Sequence, residues 1–290
     1  MSFISRGSIG ASAGIHALSN DELRKLAPSI FAEDKHVSRS ARYTYVPTIE
    51  IVDGMRAQGF FPVSAKQGNS RVPGKADFTK HMIRFRLEGD QNMGRSLGGV
   101  FPEVAIVNAH DGTASYQAMA GLMRQTCLNG LLVAERDLTS IKVGHTGNIT
   151  DKVIDASFSV IEESKAAIGH ASAWSQLRLT NDEAGIFANA AHVLRFADDE
   201  GRVTTPIEPV QLLRARRQED ASPDLWTTFN RVQENAIRGG LSAMARNDEG
   251  TLRRYTTREV KGIDGDVKLN RALWLLAEQM AELKGVKAAA

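Results

Sequence analysis

Residues 101–133 constrain the fold more than any other part of the chain, because short apolar runs there alternate with turn-forming residues. Residues 104–107 form a β-branched run that is typical of a buried strand. Asp111-Gly112 and Asn129-Gly130 are dipeptides typical of tight turns between strands. The pattern therefore predicts strands that end at these turns and belong to a mainly antiparallel sheet.

Residues 115–124 are ambiguous between helix and strand. Their apolar side chains alternate, which favours a strand, whereas alanine and methionine favour a helix. Gly121 and the turn-like sequence after Arg124 weaken the helical interpretation, so we expect a strand. Residues 131–143 are expected to add one or two further strands.

The N-terminal part predicts a helix, a strand, a basic loop and a returning strand. Ser19 can cap a short helix that runs to Phe31. Thr48, which follows a proline, can start a second helix that ends near Gly59. The remaining expected elements are a strand that begins at residue 60, a polar loop over residues 66–75 and a strand over residues 82–87.

The later part predicts helices. Helices are expected to start at Asn148 or Thr150, at Asn181 and at Leu225, the last with Pro223 in its first turn, and a final helix is expected over residues 266–284. Between them we expect a short helix or linker at 206–217 and a loop at 241–262. The fold class is therefore α+β. We expect a flexible N-terminus over residues 1–18, an α+β domain with a basic hairpin over 19–147, and a mainly helical region over 148–290 that packs on it.

Composition excludes several classes of protein. The chain has 290 residues, 42% of them hydrophobic and 24% charged, which is typical of a globular protein. No apolar run reaches the ~20 residues of a membrane span, so we expect no membrane partner. A single cysteine and the absence of a signal-peptide core predict a cytoplasmic protein. Because phosphate-binding loops and dinucleotide fingerprints are missing, we expect no cofactor.

Residues 56–86 carry the strongest local charge, with seven lysines and arginines against one aspartate. Several phenylalanines are interleaved with these cations. Phosphates need spaced cations, and single-stranded bases need flat apolar surfaces on which to stack. The alternative is a solvated surface around ordinary core phenylalanines. The predicted DNA-binding residues are Lys66, Arg71, Lys75, Lys80, Arg84 and Arg86.

A second set of polar residues lies at the predicted strand ends. Histidine and aspartate can ligate metals or transfer protons, so His110, Asp111 and His145 are candidates for a metal-dependent nuclease or hydrolase. No metal-binding spacing connects them, and we expect no metal. Cys127 could act as a nucleophile only with a base in reach, and a buried role is the simpler interpretation. We therefore expect a scaffold made of Asn108, His110, Asp111, Arg124, Cys127 and Asn129.

Seven short segments carry a resemblance to a known family. They are YVPT (45–48), GF (59–60), KHMIRFR (80–86), NAHDG (108–112), GLMR with CLNGL (121–131), LWTTFN (225–230) and LNRALW (269–274). On these segments the chain resembles the phage- and plasmid-borne domain-of-unknown-function family 932, from about residue 43 to residue 277. The resemblance implies a bacterial mobile-element protein and supplies no reaction.

The order of the elements and the basic hairpin are also loosely similar to phage single-strand annealing proteins. That similarity implies a homo-oligomeric ring or filament that holds single-stranded DNA. The aromatic anchors expected to be buried between subunits are Trp226, Phe229 and Trp274. The first interpretation is thus a non-enzymatic single-stranded DNA-binding protein of recombination or replication. The alternatives are the metal-dependent enzyme or a non-enzymatic phage accessory protein.

Overall fold

The α+β class predicted from the sequence is confirmed in a computed structural model of the chain. The structure describes residues 16–37, 45–70, 72–89, 99–126, 129–133, 141–143, 148–246 and 249–286. The helices are α1 Asn20–Leu26, α2 Thr48–Ala57, α3 Ile149–Trp174, α4 Asn181–Phe196, α5 Leu225–Arg238 and α6 Ile263–Leu283. The strands are β1 Phe60–Gln67, β2 His81–Leu87, β3 Val100–Asn108, β4 Tyr116–Arg124, β5 Asn129–Leu132, β6 Ile141–Val143, β7 Ser242–Arg246 and β8 Leu252–Thr256.

The chain divides into two compact units. The first comprises Met1–Gly130 and Thr139–Lys165, and the second comprises Leu131–Leu138 and Ala166–Ala290. The long helix α3 therefore begins in the first unit and ends in the second. None of the helices in the described ranges is long and apolar enough to cross a membrane.

A six-stranded sheet forms the centre of the first unit. Its order is β1-β2-β3-β4-β5, and β6 also pairs with β4. The registers of β1 with β2, β2 with β3, β3 with β4 and β4 with β6 are all antiparallel. All nine residues of β3 are buried, which means that the sheet is covered on both faces at its centre. This is why β3 reads in the sequence as a continuous apolar run rather than an alternating one.

The early helices begin where the sequence predicted, but the predicted end of the first one at Phe31 was wrong. Helix α1 ends at Leu26 and is followed by a separate 3-10 turn at Pro28–Phe31, because Pro28 has no amide hydrogen with which to continue the helix. Ser19 caps α1 in a capping box. Its hydroxyl accepts from the amide of Glu22, and the Glu22 carboxylate accepts from the amide of Ser19. Helix α2 begins at Thr48 and ends before Gly59, whose φ of 82° suits glycine. Pro223 differs from the expectation. It precedes α5 rather than lying in its first turn, because the Asp224 carboxylate is the N-cap and accepts from the amide of Thr227.

Aromatic side chains form the core of the second unit. Trp174 lies 4.6 Å from Trp274 and 6.0 Å from Phe229, measured between ring centroids. Trp226 stacks on Phe229 at 5.8 Å. These residues are almost fully buried within one unit. The expectation that Trp226, Phe229 and Trp274 anchor an interface between subunits was therefore wrong, because they contact one another instead.

The loop predicted over residues 241–262 was also wrong in part. Strands β7 and β8 pair antiparallel there, from Ser242 opposite Thr256 to Arg246 opposite Leu252. Every residue of β8 is exposed, and those of β7 are exposed or half-buried. A ribbon with no buried face has no alternation of apolar and polar residues, so the signal that predicts a strand is missing. We call this two-stranded element the β7–β8 ribbon.

Two adjacent glycines, Gly239 and Gly240, join α5 to the β7–β8 ribbon, and the need for glycine is stronger at Gly239. Gly239 and Gly240 both have left-handed φ, 67° and 82°. A Cβ on Gly239 would lie 2.7 Å from the carbonyl carbon of Arg258, whereas a Cβ on Gly240 would have its nearest neighbour at 4.0 Å. The two positions therefore separate backbone strain from a backbone clash.

We predict that Gly240→Ala lowers the free energy of unfolding by about 1–2 kcal/mol, which is the cost of a left-handed alanine. Gly239→Ala should cost about 1–3 kcal/mol more, because the backbone at Arg258, just beyond β8, must also move. Urea unfolding of both variants measures the difference. Equal losses in the two variants would show that the contact with Arg258 does not matter.

Candidate functional site

The predicted basic loop joins β1 to β2. Lys66 lies near the end of β1, Lys75 precedes a 3-10 turn at Ala76–Phe78, and Lys80 precedes β2. All three lysines are half-buried. The neck of the loop is closed where the amide of Gly68 donates to the carbonyl of Lys80 at 2.7 Å. Arg71, the fourth predicted cation of this loop, lies outside the described residues.

The other two predicted DNA-binding residues are buried in strand β2. Arg84 and Arg86 are 8% and 4% exposed. Their guanidinium groups contact the two carboxylate oxygens of Glu103 on β3, at 2.8 Å and 2.9 Å respectively. Arg86 also lies over the ring of Phe101, 4.6 Å from its centroid. The structure therefore separates the five predicted cations that it describes into a loop set, Lys66, Lys75 and Lys80, and a buried pair, Arg84 and Arg86.

Strand geometry explains why these charges meet. Arg84 is opposite Ala105 in the register, so Glu103, two residues before Ala105, points to the same sheet face as Arg84 and Arg86. Gly130 makes room for the cluster, since a Cβ there would lie 2.6 Å from Cζ of Arg84. A buried carboxylate between two guanidinium groups is stable only while all partners are present.

Most of the interleaved phenylalanines belong to the core. Phe60 and Phe85 are 1% and 0% exposed, which leaves neither ring open for a base to stack on. Phe61 and Phe78 are half-buried. The ring of Phe78 is packed edge-on against His36, with a centroid distance of 5.4 Å.

The turn after β3 holds the basic loop in place. The amides of His110 and Asp111 both donate to the carbonyl of Phe78, at 3.0 Å and 3.1 Å. The Asp111 carboxylate accepts from the amide and hydroxyl of Thr113, and its second oxygen lies 3.9 Å from Nζ of Lys75. Two of the residues predicted as a scaffold thus contact the predicted DNA-binding loop directly. Their scaffold role stays a prediction, which these contacts support.

The hydroxyl of Thr48 contacts several buried polar side chains at this end of the sheet. Oγ1 of Thr48, the first residue of α2, lies 2.9 Å from Nε2 of His81 and 3.0 Å from Nε2 of His110. The amide of Asn108 donates to the same oxygen at 3.2 Å. Tyr116 lies 3.2 Å away, and its hydroxyl donates to the carbonyl of Val46.

The partners assign the histidine tautomers in this network. Nδ1 of His81 faces the carbonyl of Thr79, which can only accept, so Nδ1 carries the proton and Nε2 accepts from Thr48. Thr48 then has lone pairs for Asn108 and for a protonated Nε2 of His110. With both rings neutral, these three hydrogen bonds use the single proton and both lone pairs of the Thr48 hydroxyl, which leaves no open ligand position on Thr48.

Burial has a direct effect on the titration of His81. The pKa of this imidazole is lowered to about 3, first by burial and then by the neighbouring His110. Its hydroxyl partners, Ser29 at 2.8 Å and Thr48 at 2.9 Å, are themselves buried. We therefore expect a neutral His81 throughout the physiological pH range.

The remaining predicted residues are placed less completely. Arg124 is 5% exposed at the end of β4. Cys127, His145 and the side chain of Asn129 lie outside the described residues. Within the described part of the chain, no three histidine, cysteine, aspartate or glutamate side chains converge as metal ligands would. The metal-dependent enzyme stays a prediction, and Nε2 of His110 lies 3.0 Å from the hydroxyl of Thr48.

Sequence reasoning missed the β7–β8 ribbon as a candidate surface. Its exposed side chains include three arginines and three large apolar groups. They are Arg246, Arg253, Arg254, Met244 at 58% exposure, Leu252 at 54% and Tyr255 at 40%. The charge run RRY at residues 253–255 is the one signal that could have found it.

Comparison with known proteins yields a family and no activity. Residues 35–274 match the family described as Domain of unknown function (DUF932). The chain is 44% identical to the UPF0380 protein YafZ and 43% identical to the UPF0380 protein YfjQ, both of Escherichia coli (strain K12). Each alignment covers 263 residues, 91% of this chain and 91% of the relative. No solved structure matches the chain.

The lowered pKa of His81 predicts that stability falls in acid. The unfolded residue binds a proton near pH 6.5 and the folded one only near pH 3, so its contribution is complete above pH 6.5 and is lost as the pH falls toward 3. The loss is about 1.4 kcal/mol per pH unit in that window. Urea unfolding at several pH values should give a shallower pH dependence for His81→Gln than for the wild type.

His16, whose side chain is 58% exposed, offers the matched control. His16→Gln should keep a steeper pH dependence than His81→Gln, because it removes a histidine that is not part of the buried network. If His81→Gln has the same slope as the wild type, the buried neutral state is refuted.

The cluster of Glu103 predicts a second stability effect. Glu103→Gln leaves two buried guanidinium groups without a counter-charge and should cost about 3–5 kcal/mol of unfolding free energy. Glu88→Gln removes an exposed carboxylate at the end of β2 and should change stability by less than about 0.5 kcal/mol. Thermal and urea unfolding compare the two. A loss in Glu103→Gln as small as in Glu88→Gln would contradict the prediction.

Proposed function

The chain belongs to the DUF932 family, whose description assigns no activity, and we propose from its geometry that it is a non-enzymatic protein that binds single-stranded DNA. The observation that carries the proposal is the β7–β8 ribbon. It exposes cations and apolar side chains together on an element with no buried face. An isolated two-stranded ribbon is marginally stable in water, so a bound partner would add to its stability.

The chemistry of the ribbon favours a single strand. Arg246 and Arg254 each donate one described hydrogen bond to the ribbon itself, to Gly250 and Ser242, and a guanidinium has further N–H groups for phosphate. Tyr255 and Met244 offer apolar surface on which bases can stack. In a duplex the base faces are covered, and this apolar surface would have no partner.

The basic loop between β1 and β2 supplies a second set of cations. Lys66, Lys75 and Lys80 are half-buried, and the loop that carries them is held by the turn at His110 and Asp111. A fixed loop presents phosphate ligands with less loss of conformational entropy than a mobile one. Arg84 and Arg86 do not contribute in this proposal, because both are buried inside the sheet and pair with Glu103.

The role in a bacterial mobile element, the cytoplasmic location and the annealing activity remain parts of the proposal. They follow from the resemblances described above and from the proposed chemistry of the ribbon. Self-association also remains a proposal. It now rests on the analogy with annealing proteins, because the aromatic residues first expected at an interface lie in the core.

We predict that Arg246→Ala, Arg253→Ala and Arg254→Ala together weaken binding to a labelled single-stranded oligonucleotide. Three lost phosphate contacts should make the slope of log affinity against log salt shallower by about 2. Fluorescence anisotropy at several salt concentrations measures this. The same changes at Lys25, Arg178 and Lys268 alter net charge equally but lie elsewhere on exposed surface, and should have a smaller effect.

Replacement of Lys66, Lys75 and Lys80 by alanine tests the loop in the same assay. Duplex of the same sequence should compete less well than the single strand. If the wild type does not bind the oligonucleotide, the proposed function is refuted. If the ribbon variant and the matched control weaken oligonucleotide binding equally, the assignment to the ribbon is refuted.

We further predict that the wild type forms a larger assembly on single-stranded DNA than in its absence. Multi-angle light scattering of the full chain, with and without oligonucleotide, measures the mass directly. A monomer under both conditions at all concentrations would contradict self-association and leave the DNA-binding proposal open to its own test.

A further inference from the structure

A second candidate site lies wholly within the second unit. An open cleft of about 590 Å³ runs between the start of α4, the 3-10 turn at Pro209–Leu213 and the face of α5. This volume is in the usual range for small-molecule sites, about 300–1,000 Å³. Its polar lining includes Thr180, Asn181, Asn189, Thr228 and Arg231.

Arg231 differs from Arg195 and Arg217, two other half-buried arginines of this unit. Arg195 donates to two backbone carbonyls, and Arg217 donates to two carboxylates. Arg231 donates to one neutral group, the hydroxyl of Thr228 at 2.9 Å. Its Nε is buried and has no hydrogen-bond partner in the described part of the chain. Among these three residues, the guanidinium of Arg231 therefore has the fewest described hydrogen bonds.

The nearest acids are occupied by other groups. Asp224 accepts the amide of Thr227 as the cap of α5, and Asp220 forms an ion pair with Arg217. Burial lowers the pKa of the Arg231 guanidinium, while the charges of Asp224 and Asp220 act in the opposite direction. The residue remains charged, because an arginine side chain does not lose its proton under ordinary conditions. A half-buried cation of this kind favours an anion from outside the protein.

The rest of the cleft suits a small apolar body attached to that anion. Its walls include Leu179, Pro209, Leu213 and Pro223. Gly185 lies in the lining on α4, and a Cβ built there would meet no atom within 4 Å. Alanine at this helical position would be more stable by about 1 kcal/mol, so the glycine leaves the cleft open at a cost to the helix. The acid of the lining, Glu208, caps its own turn, with its carboxylate accepting from the amide of Gln211.

We propose that this cleft binds a small organic anion, with the carboxylate or phosphate on the guanidinium of Arg231 and the apolar part against the proline and leucine walls. A guanidinium pairs with either group through two parallel N–H donors. The site is separate from the β7–β8 ribbon and from the basic loop in its residues, and it does not depend on DNA binding.

Benzoate and benzamide test the charge requirement with probes of nearly equal shape. The full chain is labelled with ¹⁵N, and the amide signals of Ala184 and Gly185 are followed as each probe is added. Benzoate should shift these signals to saturation. Benzamide should bind at least about tenfold more weakly, since it loses a charged hydrogen bond. Inorganic phosphate as a third probe distinguishes a preference for phosphate from one for carboxylate.

Two variants complete the test. Arg231→Met should keep the wild-type melting temperature or raise it and should lose benzoate binding, because it removes a half-buried cation whose one described hydrogen bond is to a neutral hydroxyl. Gly185→Leu should fold and lose binding, because its side chain fills the cleft. An absence of saturable shifts with benzoate and phosphate, equal binding by Arg231→Met, or unfolding of Arg231→Met would each overturn the proposal.

Discussion

The first unit depends on one buried hydroxyl. Oγ1 of Thr48 lies within hydrogen-bond distance of side chains at the start of β2, the end of β3 and the start of β4, and it belongs to the first residue of α2. A helix start and three strand ends are thereby joined at one atom. Such a network is favourable only when every member is satisfied, because an unpaired buried polar group costs about 1–3 kcal/mol. The neutral state of His81 is part of that condition.

Charged groups are treated differently in different parts of the molecule. Inside the sheet, Arg84 and Arg86 are buried together with the carboxylate of Glu103, which makes them part of the fold. On the β7–β8 ribbon, Arg253 and Arg254 are exposed. Arg231 lies between these cases, half-buried and bonded to a single hydroxyl. Binding of an external anion is therefore argued from where a cation lies and what already contacts it, rather than from the number of cations in a segment.

This distinction changes the meaning of the charge run at residues 56–86. In the sequence its seven cations read as one surface. In the structure the six that are described are divided among the loop, the buried cluster and helix α2, where Arg56 donates to Asn20 and Asp53. The turn at His110 and Asp111 then connects the loop to the Thr48 network. This turn therefore links the buried polar network to the loop that carries the lysines.

Local signals in the sequence determined most of the elements. The cap at Ser19, the start of α2 at Thr48 and the strand at residues 104–107 rest on contacts within a few residues, which composition and spacing reveal. The tertiary structure alone decided which charges are buried, because Glu103 reaches Arg84 and Arg86 only through the pairing of β2 with β3. It also decided that residues 242–256 form an exposed ribbon, since the ribbon has no hydrophobic period, and that Arg231 lines a cleft, since other walls come from α4 and from residues 208–213. The sequence by itself thus specified helices, strands and turns, whereas the environment of each charged side chain depended on contacts between residues far apart in the chain.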